Sequence, residues 1–173
     1  MRERAQPIDQ ADEHIRQLAD DMIETMHAEG GIGLAAQQIG EALPLCVIDL
    51  PVEMDEDETG QPANADVQMP MILLNPEITA SGTRKWTREE GCLSFPEVMG
   101  RIERPWTISL RYTAMDGSTH ERDFHGMLAR VIQHEVDHLN GVLFIDHMSY
   151  AKRLALKGRL RRLKESTVNN LAS

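Results

Sequence analysis

The stretch Gln133-His134-Glu135-Val136-Asp137-His138-Leu139 restricts the fold more than any other part of the chain. Two imidazoles four positions apart lie on one face of an α-helix, where they can grip a single metal ion. Gly126 to Asn140 is therefore predicted as a helix, closed by Gly141. Glu135 projects about a hundred degrees round that helix from His134. It is poorly placed as a third ligand and well placed to handle the proton of a metal-activated water, the layout of a hydrolase. An ordinary helix with surface histidines can carry the same letters, so the motif needs a companion ligand.

From Glu77 to about Phe124 the pattern is mostly β. Trp106, Ile108, Leu110 and Tyr112 alternate with polar or small residues, the pattern of a half-buried strand. Asp116-Gly117 predicts a hairpin turn into the next strand, around His120 to Phe124. Leu45 to Leu50 and Met71 to Leu74 read as short buried strands, the second stopped by Asn75-Pro76. An earlier helix, capped by Asp9, runs to Gly30-Gly31 with Ile15, Leu18, Met22, Ile23 and Met26 on one stripe. Pro51 to Pro70 has acids at Glu53, Asp55, Glu56, Asp57 and Glu58 and no periodicity, so it reads as a solvated acidic loop. Tyr150 to about Glu165 reads as a basic amphipathic helix with Leu154, Leu156, Leu160 and Leu163. The expected fold is α+β, one domain over residues 1–173. Antiparallel β-sheets pack around a central metal-binding helix, with an N-terminal and a C-terminal helix.

At 173 residues the chain can bury a real core. No apolar run approaches the length of a membrane span, and Met1 to Pro7 lacks the apolar stretch of a secretion signal, so a cytoplasmic location is expected. Cys46 and Cys92 do not form a disulfide framework. The net charge of −10 opposes nucleic-acid binding by the whole surface. It is unevenly spread. Residues 152–165 hold seven of the eighteen basic residues and one acid, a net +6 that leaves −16 on the rest.

The strongest third ligand is Cys92, in Glu89-Glu90-Gly91-Cys92-Leu93-Ser94-Phe95-Pro96. Gly before and Pro after let the backbone bend sharply there, and a thiolate competes well for iron or zinc. Cys46 sits inside an apolar strand and reads as a core residue. With Cys92, His134 and His138 as ligands, one tetrahedral position stays open for water, as a catalytic site requires. Between Gly30 and Gly40 lies Gly31-Ile32-Gly33-Leu34-Ala35-Ala36-Gln37-Gln38. Its glycines allow a ligand's backbone to approach, and the Gln38 amide can donate to an oxyanion. A phosphate grip is the competing reading, weakened because no Lys or Ser/Thr follows at the required positions.

Taken in order, Gly31 to Gln38, Glu90 to Ser94 and Gln133 to His138 resemble the three motifs of the peptide deformylase family. The resemblance covers nearly the whole chain, the acidic loop being its least typical part. It implies a metal-dependent hydrolase that removes the N-formyl group from the N-terminal methionine of nascent proteins. The implied reaction is attack of metal-bound hydroxide on the formyl carbon, with Glu135 as general base and then acid. It adds the Leu93 backbone N–H to Gln38 as an oxyanion donor. It lines a methionine pocket with Gly31, Ile32, Gly33, Gly91, Met127 and Val131, and it favours Fe2+, with Zn2+, Ni2+ or Co2+ able to occupy the site. Arg130, four residues before His134, is expected to snorkel outward. Asp137 is expected either to orient a ligand histidine or to form a surface salt bridge. Arg2 to Ile8 resembles the family's segment ahead of its first long helix.

Two other readings use the same residues. A zinc-type His-Glu-x-x-His peptidase leaves the other two motifs unexplained, and a non-catalytic metal-binding scaffold leaves Gln38 and Glu135 without a task. The basic tail reads either as a helix with solvated charges or, given the family's substrate, as an electrostatic contact with ribosomal RNA. Membrane and specific DNA contacts are not expected.

Overall fold

A computed structural model describes residues 7–57 and 59–171, with side chains through Glu165. Arg2 to Gln6 and Glu58, which entered the sequence reading, lie outside the described residues. Two compact units result, each made from two stretches of chain: Met1–Trp86 with Arg104–Leu143, and Thr87–Glu103 with Phe144–Ser173.

The first unit holds a five-stranded antiparallel sheet in the order β1 (Gly33–Ala35), β2 (Leu45–Ile48), β3 (Met71–Ser81), β6 (Thr107–Thr113), β7 (Thr119–His125). β4 (Lys85–Glu90) and β5 (Gly100–Pro105) pair separately. Helix α2 (Gly126–Leu139) follows β7 directly, and α1 (Glu13–Ala28) precedes β1. β2 explains why its sequence is apolar without alternation. Cys46 and Ile48 join the core formed with Leu128, Ala129, Ile132 and Val136 of α2. Leu45 and Val47 join the second core, formed with Ile15, Ala19, Met22 and Met26 of α1. A strand buried on both faces has no polar side to show.

Three local expectations are corrected. Helix α1 is capped by Asp12, whose carboxylate accepts from Ile15 N–H at 2.9 Å, and not by Asp9, because the cap must reach a donor in the helix's first turn. β3 does not stop at Asn75-Pro76. Its register with β6 shifts between Leu74 and Glu77, and Asn75 takes a left-handed φ of 50°. Asn tolerates that conformation, and a bulge accommodates the proline's missing donor. The Asn75 amide also clasps Ile8, accepting from its N–H and donating to its carbonyl. Finally, the acidic stretch is not solvated throughout. It contains a 3-10 turn, Val52–Met54, and buries Asp55 and Asn64. The hairpin at Asp116-Gly117 forms as expected, with Gly117 at φ 86° and Asp116 accepting from Ser118 N–H.

The second unit gathers Val98, Ile102, Phe144 and Met148, with Phe95 set edge-on to Phe144. Its long helix, α3 (Tyr150–Leu171), lays Leu156, Leu160 and Leu163 against that cluster. Leu154 falls off this i, i+4, i+7 line and is 55% exposed, so it does not belong to the apolar stripe expected for it. Arg159 pairs with Glu97, which sits at a left-handed φ of 60°.

Candidate metal centre and catalytic residues

Helix α2 is fixed at several points along its length. At its start, Asn64 grips the backbone of His125, accepting from its N–H and donating to its carbonyl. In the middle, Gln133 donates to the Pro105 and Ala129 carbonyls. At its end, Gln37 donates to the Leu139 carbonyl at 3.4 Å. These contacts limit sliding and rotation of the helix. Its two histidines present their rings together, with centroids 4.9 Å apart and planes at 76°.

Glu135 is 3% exposed and faces β1. A Cβ built on Gly33 would overlap the Glu135 carboxylate and meet Val131 Cγ1 at 3.0 Å. Gly33 is needed here for space, since the strand backbone runs directly against the carboxylate. Gln38 lies in the 3-10 turn Ala36–Ile39, and its carbonyl oxygen accepts from Ala35 N–H at 2.8 Å. The amide nitrogen is thus its donor end, as an oxyanion role requires. Cys46, opposite Ala35 in the β1–β2 ladder, is fully buried. Burial pushes its thiol pKa well up, with the Glu135 carboxylate as second cause. A thiol held protonated is a poor ligand, in keeping with its reading as a core residue.

Cys92, His134 and His138 are a group that could hold a metal ion, each offering one ligand atom. His138 is completely buried, and its pKa is lowered to about 3 by burial first, then by the charges of His134 and Arg104. A neutral imidazole is the form that coordinates a cation. The donor set therefore fits a metal ion. Cys92 itself lies after β4 in a turn closed by Phe95 N–H on the Cys92 carbonyl, with Leu93 exposed at the turn. Gly91 packs against Met99, where a Cβ would come within 2.7 Å of its sulfur.

Of the expected pocket residues, Val131 is buried and faces Gly33, while Ile32 and Met127 lie half-buried at the margin of the main core. Gly31 donates its N–H to Met26 at the end of α1. Arg130 is a correction: it does not snorkel outward but is 2% exposed. Its guanidinium donates to the Trp86 carbonyl at 2.8 Å and stacks over the Trp86 ring. A planar, weakly hydrated cation with an aromatic face and a carbonyl acceptor can be buried where an unpaired charge cannot.

Asp137 binds Arg104 at 2.8 Å, and Arg104 is buried. Arg104 is not among the residues expected from the sequence, although a signal existed: Gly100, Ile102 and Arg104 occupy alternate, inward positions of β5. An arginine on the buried phase of a strand needs an acid opposite it. Asn64 was missed as well, and nothing local marks it.

The match to known proteins is extensive. The family model described as Polypeptide deformylase matches residues 1–154. A peptide deformylase of Opitutus terrae is 44% identical over 171 residues, covering 96% of this chain and 89% of that relative. One from Mesorhizobium japonicum is 44% identical over 163 residues, covering 94% and 86%. Among solved structures, the peptide deformylase of Ehrlichia chaffeensis superposes with a TM-score of 0.82 at 34% identity, covering 98% and 92%. That of Thermotoga maritima gives 0.74 at 39%, covering 86% and 90%. The chain thus belongs to the polypeptide deformylase family, the metal-dependent hydrolases that remove the formyl group from the N-terminal methionine of nascent proteins.

Proposed function

We propose that this chain performs that hydrolysis with Cys92, His134 and His138 as metal ligands and Glu135 as the proton-transfer group. The observation that carries the assignment is the buried Glu135 carboxylate, one residue from His134 and pressed against the glycine strand. A divalent cation held by the three ligands supplies Lewis acidity that brings water's acidity toward neutrality. Glu135 takes the proton of the attacking water and returns it to the leaving amine. The Gln38 amide and the Leu93 N–H donate to the oxyanion that develops on the formyl group. Gly31, Ile32, Gly33, Gly91, Met127 and Val131 line the site for the methionine. We read residues 1–173 as a single deformylase-like domain.

One thiolate with two imidazoles suits both iron and zinc. We assign Fe2+, with Zn2+, Ni2+ and Co2+ as substitutes. Metal analysis after anaerobic purification checks this: iron near one per chain, with activity lost in air, is expected. Air-stable zinc enzyme at full activity contradicts it. The place of action is the cytoplasm. Among the described residues no helix is long and apolar enough to cross a membrane.

The decisive assay compares formyl-Met-Ala with an unformylated peptide cleaved internally; turnover confined to the first is expected. Gln38→Ala should slow that turnover about a hundredfold while metal content is unchanged. Wild-type turnover in that variant would remove Gln38 from the oxyanion site.

A further inference from the structure

The acidic stretch between β2 and β3 is usually the kind of segment that tolerates any sequence, yet two of its side chains are buried polar groups. Asp55 and Asn64 are each 6% exposed. The Asp55 carboxylate accepts from both the Asn64 N–H, at 3.0 Å, and its amide nitrogen, at 2.8 Å. The Ala63 N–H adds a bond to the Asp55 carbonyl. With its amide held by Asp55, Asn64 makes the two-point clasp on His125, at 3.1 Å to the N–H and 3.0 Å from the carbonyl.

His125 is the N-cap of α2 and makes no side-chain cap bond of its own. Its ring is turned instead to Thr107 Oγ1, at 3.0 Å. The next residue, Gly126, has a left-handed φ of 59° and donates its N–H to the Trp106 carbonyl. A Cβ there would sit 3.6 Å from that of Ala63, so the loop packs on the helix start as well as bonding to it. A helix normally fixes its first turn with a local Ser, Thr, Asp or Asn. Here His125 makes no such bond; instead its own backbone N–H and carbonyl are held by an asparagine 61 residues earlier in the chain.

We propose that the acidic loop is an external clamp on the motif helix, with Asn64 as a positioning residue for Glu135. It rests on the reading of Glu135 as the proton-transfer group, which the helix carries ten residues past the clasped His125. The loop's exposed charge is incidental to this role; its buried pair sets where the helix begins, and hence where the carboxylate stands against Gly33.

The test uses the metal-loaded full chain. Asn64→Ala should lower kcat on formyl-Met-Ala about tenfold or more, as small misplacements of reacting groups do. KM should stay within about twofold, and metal content should not change. Amide exchange in residues 126–131 should speed up about tenfold or more while α1 keeps its protection. Asn64→Asp, which keeps size and the acceptor for His125 N–H but loses the donor, should change both readouts in the same direction and guards against a misfolded alanine variant. Glu53→Gln with Glu56→Gln strips exposed charge from the loop and should leave kcat and exchange as in wild type. If the Asn64 variants melt earlier but keep wild-type kcat, the clamp is only a stabilising contact and the proposal fails. If the Glu53/Glu56 variant slows the reaction instead, charge and not the clasp is responsible, and the proposal fails likewise. Glu135→Gln run alongside separates the two ideas: wild-type turnover there sinks the role of Glu135, while the exchange data still decide whether Asn64 holds the helix.

Discussion

Helices α2 and α3 stay in place by different means. Of the fourteen residues of α2, eleven are buried, and amides from Asn64, Gln133 and Gln37 hold its start, middle and end. An ion pair from Arg104 to Asp137 adds a fourth contact, at a position between His134 and His138 in the sequence. α3 is longer and is held through Leu156, Leu160 and Leu163, with most of its basic side chains facing solvent. The family match ends at residue 154, near the start of α3. The helix that carries Glu135, the proposed proton-transfer group, is fixed by directional bonds along its length. The helix with the exposed basic side chains rests on an apolar seam.

The comparison breaks most sharply at Glu135. Glu135→Ala should cost about 10²–10⁴ in turnover, the usual range for a general acid–base group, while one metal per chain remains by elemental analysis. Next comes Gly33→Ala. Its new methyl collides with the Glu135 carboxylate, so kcat should fall about a hundredfold with little change in the melting temperature. Near-normal kcat would show that the carboxylate can move aside, against the view of α2 as a rigid platform.

A pH titration sharpens the same point. The pKa of His138 is lowered to about 3 in the folded chain from an ordinary value of 6.5. Between those values the unfolded chain takes up a proton there that the folded chain refuses. The stability of the metal-free protein should therefore fall as pH drops from 6.5 to about 3. Thermal melts of wild type and His138→Gln across that window measure it; equal slopes would contradict the assignment. The smallest effect belongs to α3. Arg159→Gln, Arg161→Gln and Arg162→Gln together should leave turnover of formyl-Met-Ala within about twofold, since exposed charges contribute little locally. If α3 meets ribosomal RNA, the triple variant should bind ribosomes more weakly and with a flatter salt dependence. Unchanged binding would leave the helix as a solvated surface only.

Much of the site was legible because it is local. His134, Glu135 and His138 are related by helical spacing, and Gln38 follows its glycines within a few residues. Cys92 was legible through its Gly and Pro neighbours and its motif. Errors came where a side chain's partner is distant in sequence. Arg130 looked too polar to bury until Trp86 supplied a face and a carbonyl. Asn75-Pro76 looked like a strand end until pairing with β6 turned it into a bulge. Asp55 and Asn64 were lost among the acids of a loop whose composition says nothing about burial.

By itself, the sequence determined the α+β class and the family's chemistry, and it marked the candidate metal helix and thiol, because periodicity and short motifs act over one or two turns of chain. Only the tertiary structure decided what holds that helix still. The Asn64 clasp, the Arg104–Asp137 pair and the space at Gly33 join residues that are tens to about a hundred positions apart. Such contacts exist only after the sheet has brought its strands into register, and nothing in the local spacing of the chain encodes them.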